Sequence, residues 1–192
     1  MKARLALIAT VCVVTVLNAC GNVASLRAIL PTYTDTLSLW ALSGTPPSYP
    51  SAISITARQI VRVDGFAAFD IALDIDANGK TVVYPVKLVV ASLGGSRPVG
   101  IQKISRSFED VTEAPKTGFR TDSSVAIVPG EVVVVESPHN ASGDLCQFSI
   151  SPNIYAKIAV DSVNLSSRII YLRMGFDPNC GFRSFATGIP TS

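Results

Sequence analysis

Phe69-Asp70-Ile71-Ala72-Leu73-Asp74-Ile75-Asp76-Ala77-Asn78-Gly79 is the stretch on which the fold turns. Large apolar residues stand at Phe69, Ile71, Leu73 and Ile75, and Asp70, Ala72, Asp74 and Asp76 alternate with them. A period of two puts the apolar set on one face of a strand and the acids on the other, the pattern of a half-buried antiparallel strand. Asn78-Gly79 then supplies the positive φ angles of a tight hairpin. The returning strand is Thr81–Tyr84 or, beyond Pro85, Val86–Val90.

Similar short apolar runs, bounded by Pro, Gly, Asn and Asp, lie on both sides of this hairpin. They predict strands at Leu37–Leu42, Ile53–Ile55, Ile60–Val63, Ile101–Ser105, Val125–Val128, Val132–Val135, Gln147–Ile150, Tyr155–Val160 and Arg168–Met174. One helical candidate remains, Phe108–Ala114, with Ser107 as N-cap, Asp110 at the third position and Pro115 as the stop. It is long enough for a turn or two within a loop. Nine or ten short strands with turns between them predict an all-β fold, an antiparallel β-sandwich with Greek-key-like connections. A small barrel is the alternative. The crossover helices of 10–15 residues that a parallel α/β sheet requires are missing. No repeat, low-complexity tract or linker divides residues 35–192, which read as one domain.

The amino terminus is a different kind of segment. Lys2 and Arg4 precede an apolar run from Leu5 to Leu17 in which Thr10 and Thr15 are the only polar members. A basic start and an apolar run of this length describe a cleaved export signal, whereas a membrane span needs about 20 apolar residues. The run ends in Leu17-Asn18-Ala19-Cys20-Gly21. This resembles the lipobox of bacterial lipoproteins: a Leu, two small or tolerated residues and an obligatory Cys. The resemblance covers about 20 residues and implies a signal peptide over 1–19 with cleavage before Cys20. It also implies a diacylglyceryl thioether on that sulfur and a lipid-anchored tether over 20–34. Asn18 is less common at its position than a small residue. Gly21 rather than Asp after the cysteine implies, in a bacterium with two membranes, transfer to the outer one. Two or three acyl chains hold a protein at a bilayer almost permanently.

Cysteine usage fits an envelope location. Cys12 leaves with the signal and Cys20 takes the lipid, so Cys146 and Cys180 remain. A pair in an oxidising compartment predicts a disulfide. Zinc is the rival, but two thiols and the single His139 fall short of four ligands. Charge excludes a further class. Of sixteen Lys and Arg, Lys2 and Arg4 lie in the leader, which leaves fourteen against fourteen acids. A nucleic-acid partner is therefore not expected, because displacing counterions from phosphate needs a basic face. Arg168, Arg173 and Arg183 are the nearest thing to one.

Candidate chemistry is sparse. Asp74-Ile75-Asp76-Ala77-Asn78-Gly79 fits the first half of a calcium loop, with oxygen ligands from Asp74, Asp76 and Asn78. Loop position twelve, where an EF-hand needs Glu, is Pro85, and both flanks read as strand; the same residues favour a plain turn. Calcium is the one cofactor the sequence leaves open. His139 could serve as a base only with a Ser or Cys beside it and a carboxylate behind. No Gly-x-Ser-x-Gly, Ser-x-x-Lys or His-Glu-x-x-His occurs. Glu109, Asp110 and Glu113, or Asp70, Asp74 and Asp76, could pair for glycoside hydrolysis, although solvated faces give the same pattern. Trp40, Tyr49, Phe176, Phe182 and Phe185 could stack on sugars or fill a core. Asn140 and Asn164 match a glycosylation sequon that carries little weight in a bacterium. No catalytic residues are assigned. The sequence thus predicts a lipid-anchored, non-enzymatic envelope protein that binds a protein or glycan at the membrane surface. A carbohydrate- or calcium-binding module and an envelope hydrolase are the alternatives.

Overall fold

The structure, a computed structural model, describes residues 27–63, 69–90, 97–139, 141–149 and 151–191. The leader, Cys20 and Asn140 lie outside them. The fold is the predicted all-β sandwich, two antiparallel sheets of five strands each. The strands are β1 (Tyr33–Trp40), β2 (Ala52–Ser54), β3 (Gln59–Val61), β4 (Ile71–Ile75), β5 (Thr81–Pro85), β6 (Gly100–Ile104), β7 (Val125–Ile127), β8 (Val132–Pro138), β9 (Asn153–Asn164) and β10 (Ile169–Asp177). One sheet has the order β1-β10-β9-β8-β6 and the other β3-β2-β4-β5-β7. Strands β8, β9 and β10 form a meander with β1 alongside β10, a Greek-key order whose long connection runs through the other sheet.

The hairpin at Asn78-Gly79 forms as the sequence predicts, with Leu73 opposite Val83 and Gly79 at φ 77°. Its returning strand is Thr81–Pro85. Residues Val86–Val89 are a helical turn, α1, rather than a strand. Their would-be partner has ended, because Ile71 opposite Pro85 is the last pair between β4 and β5. Gln147–Ile150 is also not a strand over its described residues: 142–149 form successive turns, with Ser149 N–H donating to the Cys146 carbonyl. Phe108–Ala114 contains a turn at 108–110 and no helix; Ser107 Oγ still receives the Asp110 N–H at 3.3 Å, as an N-cap would. Strand β1 opens at Tyr33, inside the stretch read as tether, and Asn179 already holds the N–H groups of Ile29 and Leu30 through its side-chain oxygen.

The main core lies between the sheets, where Leu39, Ile53, Ile71, Leu73, Ile101, Ile127, Ile158 and Leu172 are fully buried. Along β8, Val132, Val133, Val134 and Val135 are all buried, which defeats simple alternation. The reason is a second, smaller core on the outer face of β8 and β9. Phe108, Val111, Ala114 and Phe185 cover Val132, Val134, Tyr155 and Ala159 there. At one lateral edge, Arg58, from the turn between β2 and β3, grips Asp35 of β1 through both carboxylate oxygens at 2.5 and 2.7 Å, tying one sheet to the other. The disulfide joins Cys146 to Cys180 with Cα atoms 5.7 Å apart. Closing that 34-residue separation stabilises the fold by roughly 4 kcal/mol in the chain-entropy model.

The sandwich has two distinct ends. At the basal end β1 and β9 begin, β8 and β10 finish, and the chain enters from residue 27. The distal end carries the β4–β5 and β9–β10 hairpins, where Leu165 packs beside Gly79.

Candidate functional site

The sequence put Asp70 on a solvated face with Asp74 and Asp76. The structure corrects this: Asp70 is fully buried. It sits one residue before β4, its N–H donating to the Ile53 carbonyl and its own carbonyl accepting from Val86 N–H. Those bonds turn its side chain inward at the basal end. There its Oδ2 accepts the Ile55 N–H at 2.7 Å. Its Oδ1 accepts Ser137 Oγ–H at 2.5 Å and Arg97 Nη2–H at 2.9 Å. His139 completes the group: its Nε2 lies 3.0 Å from Ser137 Oγ, and Arg97 Nη1 lies 2.9 Å from its Nδ1 and 2.8 Å from its Nε2.

An aspartate, a serine and a histidine in one cluster invite comparison with a hydrolytic triad. In a triad the imidazole lies between the other two, orientated by the carboxylate and ready to accept the hydroxyl proton. Here the serine lies in the middle. Its single hydroxyl proton goes to Asp70 and so is not directed at His139 Nε2, while Arg97 Nη1 faces both ring nitrogens. His139 Nε2 stands 3.9 Å from Asp70, beyond hydrogen-bond reach. Burial, and then the Arg97 charge, pull the His139 pKa below that of an ordinary histidine, with Asp70 only partly opposing them. The imidazole thus sits against a cationic guanidinium, and the serine proton is directed at Asp70 and not at a ring nitrogen. Ser137 is fully buried. The cluster clamps the two sheets together, since Asp70 and Ile55 directly flank β4 and β2 of one sheet and Ser137 lies in β8 of the other.

The remaining candidates separate. Asp74 accepts from Ser43 Oγ at 2.7 Å and pairs with Arg168 at 3.0 Å. Asp76 accepts the N–H groups of Asn78 and Lys80, both at 2.8 Å, which hold its carboxyl below the usual carboxylate range. These bonds fix Asp74 and Asp76 at the distal turn, with Asn78 held through its backbone N–H. Glu109 binds Arg173 at 2.6 Å, Asp110 binds Ser107 at 2.6 Å, and Glu113 pairs with Arg183. Those three acids face three different partners. The same pairings, with Asp161 on Arg173, neutralise Arg168, Arg173 and Arg183. Phe176, Phe182 and Phe185 are buried in the cores. Trp40 and Tyr49 stay half-exposed side by side at the distal end, their ring centroids 4.8 Å apart.

Sequence reasoning missed two buried polar groups. Lys157 lies in the outer core, where its ammonium donates to the carbonyls of Phe108 at 2.5 Å and Val111 at 2.9 Å. It stands 4.1 Å from the centre of the Phe108 ring, and Gly175 gives it room, because a Cβ there would lie 2.9 Å from Lys157 Cε. Burial lowers its pKa, with Glu109 partly opposing. Asp177, fully buried, accepts from the Asn179 N–H and side-chain amide, and desolvation raises its pKa. The only hints in the sequence were single charges inside apolar runs. A cavity of about 500 Å³ opens beside the outer core, lined by Gln102, Ile104, Arg106, Thr112, Glu113 and Arg183 among others.

Fold and site together define a disulfide-linked antiparallel β-sandwich with a buried polar clamp between its sheets. No family model matches the chain, and no curated protein or solved structure gives a significant match.

Proposed function

We propose that the chain is a lipid-anchored, non-enzymatic β-sandwich of the bacterial envelope that binds or scaffolds at the membrane surface. The observation that carries the non-enzymatic part is the order of the Asp70–Ser137–His139 group, in which the serine and not the imidazole lies in the middle. A buried serine that donates to a carboxylate, beside an imidazole crowded by an arginine, lacks the base that activates a nucleophile. The anchor rests on the resemblance of Leu17–Gly21 to a lipobox, and the envelope location also accords with the Cys146–Cys180 pair. Cell fractionation tests it: the wild type partitions with membranes and Cys20→Ser leaves them. Turnover of an envelope substrate that disappears in Ser137→Ala would overturn the non-enzymatic reading.

The Trp40–Tyr49 pair favours a second reading, a glycan-binding module, since adjacent exposed rings suit a sugar face. Retention on immobilised envelope glycans, abolished by Tyr49→Ala, would support it. Equal elution of wild type and variant would remove it.

A further inference from the structure

Large apolar side chains left in water are unevenly shared between the two ends of the sandwich. At the basal end stand Ile29 (75% exposed), Leu145 (56%), Phe148 (93%) and Ile189 (56%), with Leu30 and Leu88 also exposed. The distal end has Tyr49, Val128 and Leu165. The basal set is fixed in place by named bonds. Asn179 holds Ile29 and Leu30, and its neighbour Cys180 is disulfide-bonded to Cys146, beside Leu145. Ser149 N–H closes the turn bearing Phe148 onto the Cys146 carbonyl, and Thr32 N–H holds Gly188, next to Ile189, at 3.0 Å. Arg27 and Lys87, both exposed, bring positive charge to the same end. A phenylalanine held almost fully in water on a disulfide-pinned turn buries nothing within the fold, and large apolar side chains gathered at one end mark a contact surface.

We propose that this basal end is a lipid-docking surface: it rests on the bilayer that holds Cys20, with Phe148 and Leu145 inserted among the headgroups. The proposal rests on the lipid-anchor reading, and chain length selects the occupant. Cys20 to Ala28 spans at most about 29 Å of extended chain. The sandwich is about 40 Å long if the twelve residues of β9 run its length. The anchor therefore keeps the basal end within reach of the membrane and is too short for the distal end to lie on it. Aromatic and aliphatic side chains with Arg27 and Lys87 at the same end, against the single acid Asp144 on the Leu145 turn, suit an interface that is apolar beneath and anionic above. Docking would leave the Trp40–Tyr49 face pointing away from the membrane.

The sole tryptophan, Trp40 at the distal end, provides a control within the molecule. Full-length protein is extracted from bacterial membranes, its intact mass is read, and it is reconstituted into vesicles of phosphatidylcholine and phosphatidylglycerol with brominated acyl chains. A tryptophan at the headgroup boundary, made by Phe148→Trp with Trp40→Phe, should lose about half its emission to bromine, whereas wild-type Trp40 should lose almost none. Equal quenching at the two positions, or none at position 148, overturns the docking surface. An intact mass without acyl chains refutes the anchor alone, and docking is then decided on the unacylated protein. That unacylated protein is then floated with the same vesicles alongside Phe148→Ser with Leu145→Ser. Flotation that the double variant loses upholds docking, and no flotation of the parent overturns it. Both serine substitutions are at exposed positions, so an unchanged melting temperature verifies the fold.

Discussion

Replacing Asp70 by asparagine changes one oxygen to an amide and tests whether the buried cluster is a clamp. The carboxylate accepts three protons, from Ile55 N–H, Ser137 Oγ–H and Arg97. Asparagine can keep its oxygen toward Ser137 and Arg97 only by turning its NH₂ toward the Ile55 N–H, donor against donor. That leaves a buried backbone donor without a partner, which costs about 1–3 kcal/mol. Arg97 at the same time loses the charge it was paired with, and breaking a buried pair on one side costs about 3–5 kcal/mol in all. The pair is not wholly buried, because Arg97 is 28% exposed, so the lower half of that range applies. For a domain of this size each kcal/mol moves the melting temperature by about 2–4 °C, which predicts a fall of roughly 6–15 °C. Calorimetry at pH 7.5 reads it directly. Ser137→Ala should cost less, about 1–2 kcal/mol, since Arg97 and Ile55 still serve the carboxylate. A loss below about 1 kcal/mol for Asp70→Asn would refute the clamp, because no satisfied buried carboxylate is removed so cheaply.

Three further outcomes follow from the buried groups. The His139 pKa lies below its unfolded value near 6.5, so below that pH the unfolded chain takes up a proton that the fold refuses. Stability should therefore rise with pH up to about 6.5 and fall below it, by at most about 1.4 kcal/mol per pH unit. His139→Gln should flatten that slope in urea titrations between pH 4.5 and 7; identical slopes would contradict the assignment. Lys157→Met should cost about 2–4 kcal/mol and speed amide exchange around residue 111, because the Phe108 and Val111 carbonyls lose their donor. A neutral result would mean that these carbonyls find water instead. Cys146→Ser with Cys180→Ser should lower stability by roughly 4 kcal/mol, and a midpoint equal to wild type would argue against the disulfide.

What the sequence reveals and what it hides divide along physical lines. The Asn78-Gly79 hairpin is legible because its signal is local: two residues fix the turn, and the period-two pattern before it fixes the face. The sandwich is legible for the same reason, repeated strand by strand. Asp70 is not, because alternation assumes that a residue beside a strand follows the strand's pleat. Asp70 lies just before β4 and obeys backbone bonds to Ile53 and Val86 instead. Its partner Ser137 is 67 residues away, a separation on which spacing is silent. Val132–Val135 reads as one continuous apolar run, but only the loop folded over its outer face explains why both sides are buried. Lys157 reads as a surface charge until Phe108, Val111 and Gly175 are seen around it. Gln147–Ile150 has strand-like composition, yet the bond to Cys180 holds the neighbouring chain in turns.

The sulfur of Cys20 decides where this protein resides. Intact-mass spectrometry of the protein recovered from cell membranes should find a chain that begins at residue 20 and carries a diacylglyceryl group, with a further acyl chain where the host adds one. A soluble species retaining Met1, with the mass of the unmodified 192 residues, would contradict it.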